Sequence, residues 1–221
     1  MYGNNCGHNP DSPRWFEPPK QHTRPKIIEK AIQEIRHYYQ EPASIIPSLN
    51  LANGSDRQQR SERREACLSL LGCLLHYLDL ATLRVGIPQN DTSFQGISMP
   101  FIAEKTGLNL KRAERAVRDL VKSGLITVHP LCEKLSDTLY KGYAAIRTIS
   151  AKLFTIFGLG GRLRYEREKA SARLKKRTRK EEAKGKAKVD LILSSTLGPS
   201  GPAKTGRVAE LRAIKAILNS P

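Results

Sequence analysis

Lys111, Arg115, Arg118 and Lys122 follow one another at intervals of four, three and four, so a helix drawn through them carries all four cations on one side. Cations lined up on a rod do the chemistry of polyanion recognition. A guanidinium presents paired donors to the edge of guanine, and any cation gains affinity by displacing counterions condensed on phosphates. At 100° per residue this face centres on Arg115 and Lys122, with Lys111 and Arg118 flanking and Arg112 and Asp119 on the other shoulder. Leu110, Ala113, Val117, Leu120 and Val121, at spacings of three, four, three and one, share the opposite face, which is expected to pack inward. Asn109 can cap the start of the helix and Gly124 can close its end. Lys111, Arg112 and Arg115, nearest its N-terminal half, are the expected base readers; Arg118 and Lys122 are expected on phosphates.

Other chemistry is hard to assemble from these residues. The five histidines, His8, His22, His37, His76 and His129, never stand two apart, as the metal site of a rolling-circle nickase requires. No phosphate-cradling glycine loop ends in Gly-Lys-Ser or Gly-Lys-Thr, and no carboxylate pair has two-metal spacing. Cys6, Cys67, Cys73 and Cys132 lie 61, 6 and 59 residues apart, which matches no zinc spacing. Cys67 and Cys73 read as small core residues and His76 as a satisfied, partly buried histidine. No catalytic residue, metal or other cofactor is expected, and binding is the function to explain.

The chain has 221 residues, with 38 Lys and Arg against 21 Asp and Glu, a net charge of +17. At 39% hydrophobic it can build one real core. The charge is uneven: 8 basic and 6 acidic residues in 1–60, 12 and 9 in 61–150, and 18 and 6 in 151–221. A polyanionic partner is therefore expected, with nucleic acid ahead of an acidic membrane surface. No run of about 18 apolar residues could span a membrane, the best stretch, 67–83, being broken by His76 and Asp79. The first residues lack the basic and apolar regions of a secretory signal, so the cytosol is the expected location.

The elements that must position the cationic helix can be read along the chain. Residues 1–25 hold five prolines and many small polar residues and are expected to be a disordered tail. Residues 26–60 read as one amphipathic helix over 26–39, which docks on the core or serves a second copy of the chain, followed by a linker carrying Pro42, Pro47 and Asn53-Gly54. Residues 61–157 form the organised domain. A leucine-rich core helix begins near Ser61, a strand covers 82–87, and Ser98-Met99-Pro100 opens a helix that ends at Gly107. The cationic helix follows, then strands over 125–128 and 143–149 joined by a long connection through Lys134 and Lys141, then a short helix over 151–157. Helix, tight turn, helix and hairpin is the order of a winged helix-turn-helix within an α+β, mostly helical chain. Residues 158–188 are a basic helix or arm; 13 cations and 4 anions lie in 162–188, among them Arg162, Arg164, Arg173, Lys175, Lys176 and Arg177. Residues 189–221 read as a flexible tail with a short helix over 208–218.

The ordered set Arg63-Arg-Glu-Ala-Cys-Leu-Ser-Leu-Leu-Gly-Cys-Leu-Leu-His-Tyr77, Ile102-Ala-Glu-Lys-Thr-Gly-Leu108, Lys111-Arg-Ala-Glu-Arg-Ala-Val117 and Ser123-Gly-Leu-Ile-Thr127 resembles the RepA replication initiators of IncFII-type plasmids. The likeness runs from about residue 60 to 180 and includes Arg147-Thr-Ile-Ser150 and Leu153-Phe154 before the basic tract; the first 60 residues depart from it. The resemblance implies a bacterial plasmid protein that binds its replication origin, recruits the host replication initiator and helicase, and sets copy number by its level. In that setting Asn109, Lys111, Arg112, Arg115, Arg118 and Lys122 meet double-stranded DNA, Lys134 and Lys141 of the wing touch the adjacent backbone or minor groove, and the basic tract adds nonspecific affinity. Two other readings remain open on the residues: a winged-helix transcriptional repressor, and a basic RNA-binding or membrane-surface protein. The 6% aromatic content and the lack of an apolar face in the tract speak against the last.

Overall fold

A computed structural model of the chain describes residues 8–19, 21, 23–88, 94–134, 136 and 139–196. The chain divides into two compact units, Met1–Leu174 and Lys175–Pro221. Helices α1 (Lys26–Gln40), α2 (Pro42–Ile45) and α3 (Pro47–Asn50) lead through a 3-10 turn (Leu51–Asn53) to α4 (Ser61–His76). Strands β1 (Arg84–Pro88) and β2 (Phe94–Gly96), helices α5 (Met99–Thr106) and α6 (Leu110–Lys122), the long strands β3 (Ile126–Lys134) and β4 (Tyr140–Ile149), and helices α7 (Ala151–Ile156) and α8 (Gly160–Thr196) complete the order. The result is α+β and mostly helical.

The centre is α4. Twelve successive residues, Glu65 to His76, are buried, so the helix has no wet face and packs against α1, α5 and α6 at once. Its five leucines, Leu68, Leu70, Leu71, Leu74 and Leu75, are at most 1% exposed, and each contributes about 1.5–3 kcal/mol of transfer free energy. Cys67 and Cys73 are fully buried there, as expected of small apolar residues, and burial raises both thiol pKa values, that of Cys73 to about 12. Helix α1 buries Ile27, Ile28, Ala31, Ile32, Ile35, Tyr38 and Tyr39. Its amphipathic face is therefore spent on docking within the chain.

Two expectations are corrected. Residues 8–19 lie against α4 and α1 as a strap. His8 Nδ1 is 2.8 Å from Glu65 Oε2, Ser69 Oγ donates to the Arg14 carbonyl at 2.8 Å, Phe16 is buried, and Trp15 meets Tyr39 edge-on at 5.5 Å. Prolines made the segment look unstructured, but a strap needs few backbone partners of its own when another element supplies them. Residues 40–60 are likewise built and not a linker. Pro42 and Pro47 each stand in the first turn of a short helix, where a missing N–H costs nothing, and Ile46, Leu49, Asn50 and Ala52 are buried.

The sheet has the order β2-β1-β4-β3 with every pairing antiparallel. Gly86 pairs with Gly96 across β1 and β2, and a Cβ on Gly86 would run into the Gln95 carbonyl and the Phe94 ring. The hairpin strands are longer than expected: β3 and β4 stay paired out to Lys134 and Tyr140, with an irregularity between His129 and Leu131. Pro130 sits at that irregularity on an edge strand, the place where a proline does least harm to a ladder. Beyond it the hairpin leaves the body, and Leu131, Leu139, Tyr140 and Tyr143 are exposed.

Candidate nucleic-acid interface

Local chemistry sets the pair of helices that carries the cations. Ser98 caps α5, its hydroxyl accepting from the Phe101 N–H at 3.4 Å, with Pro100 in the first turn. Gly107 ends α5 at φ 65°, a left-handed conformation that costs a residue with a Cβ about 1–2 kcal/mol. Two residues later the Asn109 side chain accepts from the Lys111 N–H at 3.0 Å and starts α6. That turn holds α5 and α6 as neighbours with no spare chain between them. Helix α6 ends at Lys122, with Ser123 as its C-cap and Gly124 following at φ 70°.

The inward face of α6 is Ala113, Ala116, Asp119 and Leu120, whereas Leu110 and Val121 are 42% and 41% exposed. The helix is thus rotated by about 80°, at 100° per residue, from the orientation its apolar residues suggest. The physical reason lies in a residue from another helix. Arg63 of α4 donates from Nε to Asp119 Oδ2 at 2.6 Å and from Nη2 to Asp119 Oδ1 at 2.7 Å, and the carboxylate is 2% exposed. Gln59 Nε2 adds a third donor at 3.4 Å. Gln59 is itself fixed, its N–H donating to Asn50 Oδ1 at 2.9 Å and its Oε1 accepting from the Tyr38 hydroxyl at 3.3 Å. The Asp119 carboxylate raises the pKa of Arg63, and burial lifts that of the Tyr38 hydroxyl. Two small alanines beside this pair let α6 come close to α4.

Rotation changes which cation leads. The outward face now centres on Arg118, with Lys111 and Lys122 beside it; Glu114 is the acid on that face, and Arg115 stands on the shoulder nearest α4. Lys111, Arg115, Arg118 and Lys122 are all exposed. Arg112, an expected base reader, is turned back: its Nε lies 3.6 Å from Glu62 Oε1, its Nη2 lies 3.9 Å from Glu65 Oε1, and Nη2 donates to the Glu62 carbonyl at 3.3 Å. Asn109 is engaged as a cap. Lys134 and Lys141 are exposed on the distal hairpin, where Lys141 Nζ stands 5.2 Å from the centre of the Tyr143 ring. In α8, Arg162 is half-buried and Arg164 and Arg173 are exposed; Lys175, Lys176 and Arg177 are exposed in the second unit. The segment 208–218 lies outside the described residues.

Sequence reasoning missed Arg63, Asp119 and Gln59 as the group that aims α6. The available signal was Asp119 itself, an acid at the inward edge of a predominantly cationic helix, next to Leu120. No helix of the described residues is long and apolar enough to cross a membrane.

A family model for the IncFII RepA protein family matches residues 5–194. The chain belongs to the IncFII RepA protein family. Membership places it among plasmid replication initiators. The match includes the strap and helices α1 to α3, so residues 5–60, expected to depart from the RepA pattern, lie within it. No curated protein and no solved structure matches the chain.

Proposed function

We propose that this RepA family chain initiates replication of its plasmid by binding double-stranded DNA of the origin sequence-specifically through a winged helix-turn-helix. Helix α6 enters the major groove, where each base pair shows a distinct pattern of donors and acceptors, and α5 crosses its start. Arg118, at the middle of the outward face, reads bases; Lys111 and Lys122 hold phosphates; the distal hairpin with Lys134 and Lys141 lies along the neighbouring backbone as the wing; and the cations of α8 add nonspecific affinity. Bound at the origin in the bacterial cytoplasm, the protein recruits the host initiator and helicase, and its abundance sets copy number.

The observation that carries this reading is the cationic face of α6. Four exposed cations stand together with only Glu114 among them, while the acid that could have neutralised them, Asp119, is buried on Arg63. A face left so charged gains most from a polyanion. The test is fluorescence anisotropy of the purified protein with an origin duplex and a scrambled duplex of equal length and composition. Tighter binding to the origin duplex is expected; equal affinity for both would sink the sequence-specific reading. Supplying the gene in trans to an origin plasmid separates roles, since repression of a reporter without replication identifies a transcriptional repressor.

A further inference from the structure

Resting on the reading of the chain as a duplex binder, we propose that it has a second DNA contact, a seat for backbone phosphodiesters beside α6. The seat is a cleft of about 460 Å³ between residues 53–60, the start of α4 and the near shoulder of α6. Arg57, Arg60, Arg63, Arg112 and Arg115 line it, with Glu62 as the acid in its wall. Two of the five arginines are committed, Arg63 to Asp119 and Arg112 to Glu62. Arg57, Arg60 and Arg115 are exposed and have no carboxylate partner among the described residues.

Cations gathered in a concave site repel one another, and walls with an excess of one sign focus the field on an incoming anion. The floor is firm. The Arg57 main chain is held by a closed loop in which Asn53 Nδ2 donates to the Arg57 carbonyl at 3.1 Å and the Arg57 N–H donates to Ser55 Oγ at 3.2 Å. Guanidinium forks match the paired oxygens of a phosphate better than a point charge does. Among the described residues no aromatic side chain lines the cleft to stack on a base, so the lining suits sugar-phosphate backbone and not a free nucleotide. The cleft also continues along α6, where Arg63, Arg115, Arg118 and Lys122 border a further hollow together with Asp119, whose carboxylate is held by Arg63. One strand can therefore run from the outward face of α6 past Arg115 and into the arginine seat.

The experiment compares the full chain with the double variant Arg57→Ala/Arg60→Ala, both exposed positions, after circular dichroism shows the fold intact. Affinity for origin and scrambled duplexes is measured by anisotropy across a salt series. Affinity is expected to fall by the same factor on both duplexes, with the slope of log K against log salt shallower by about 2, near 0.9 for each phosphate that the variant no longer neutralises. Unchanged affinity and slope, or a loss confined to the origin duplex, would overturn the proposal. Should the wild-type chain bind neither duplex, the duplex reading itself fails. The cleft is then read alone by titrating inorganic phosphate against chloride at matched ionic strength and following arginine Nε–H signals by NMR. Phosphate-specific shifts that vanish in the double variant support an anion seat; their absence in the wild type overturns it.

Discussion

Arg63 and Asp119, 56 positions apart, join α4 to α6 through two parallel hydrogen bonds of 2.6 and 2.7 Å, and this pair decides which side of α6 faces water. A buried ion pair adds little net stability, because desolvation offsets most of the attraction, but breaking one strands a charge. Arg63→Ala leaves Asp119, 2% exposed, without its partner and is expected to cost about 3 kcal/mol. Asp119→Ala should cost less, about 1–2 kcal/mol, since the Arg63 side chain is a third exposed and can turn to water. Urea denaturation of the two variants checks the order; a larger loss for Asp119→Ala would contradict it.

The rotation of α6 predicts a division of labour between two arginines three residues apart. Arg118→Ala should cost about 1–3 kcal/mol on the origin duplex and relax specificity at one base position. Arg115→Ala, on the shoulder that borders the arginine cleft, should weaken binding to every duplex alike. Selection from randomised duplexes with each variant reads the difference directly. The reverse pattern would mean that the helix presents the face its apolar residues suggest.

Turn chemistry predicts the cost of two glycine substitutions. Nothing lies within 4 Å of a Cβ on Gly107, so Gly107→Ala pays only for its φ of 65°, about 1 kcal/mol, or about 2–4 °C in melting temperature. Gly107→Asn should recover part of that, since Asn tolerates the left-handed region. Gly86→Ala meets backbone of the neighbouring strand and should be the more damaging. Thermal melts rank the three.

Burial predicts thiol behaviour. Cys132 is exposed, whereas Cys67 and Cys73 are buried, with the Cys73 pKa raised to about 12. Iodoacetamide mapped by mass spectrometry should label Cys132 in minutes at pH 8 and spare the other two until the chain is unfolded. The sign for stability follows: the fold keeps Cys73 protonated, so this contribution is whole below about pH 9 and is lost as pH rises toward about 12. Labelling of Cys73 in the native state would refute the packing.

Elements whose causes are local were legible along the chain. The amphipathic pattern of α1, the Ser98 and Asn109 caps, the left-handed glycines at 107 and 124, and the apolar run of α4 each act within a turn or two, so residue order alone determined them. The likeness to the RepA family rested on the same ordered segments. The strap of residues 8–19, the short helices after α1 and the rotation of α6 were not legible, because each depends on a partner far away in sequence. His8 rests on Glu65, Asn50 holds Gln59, and Arg63 takes Asp119 out of water. Sequence determined that this protein carries a cationic rod on an apolar body; tertiary structure decided which cations that rod shows, because a desolvated carboxylate must find its arginine and α6 turns until it does.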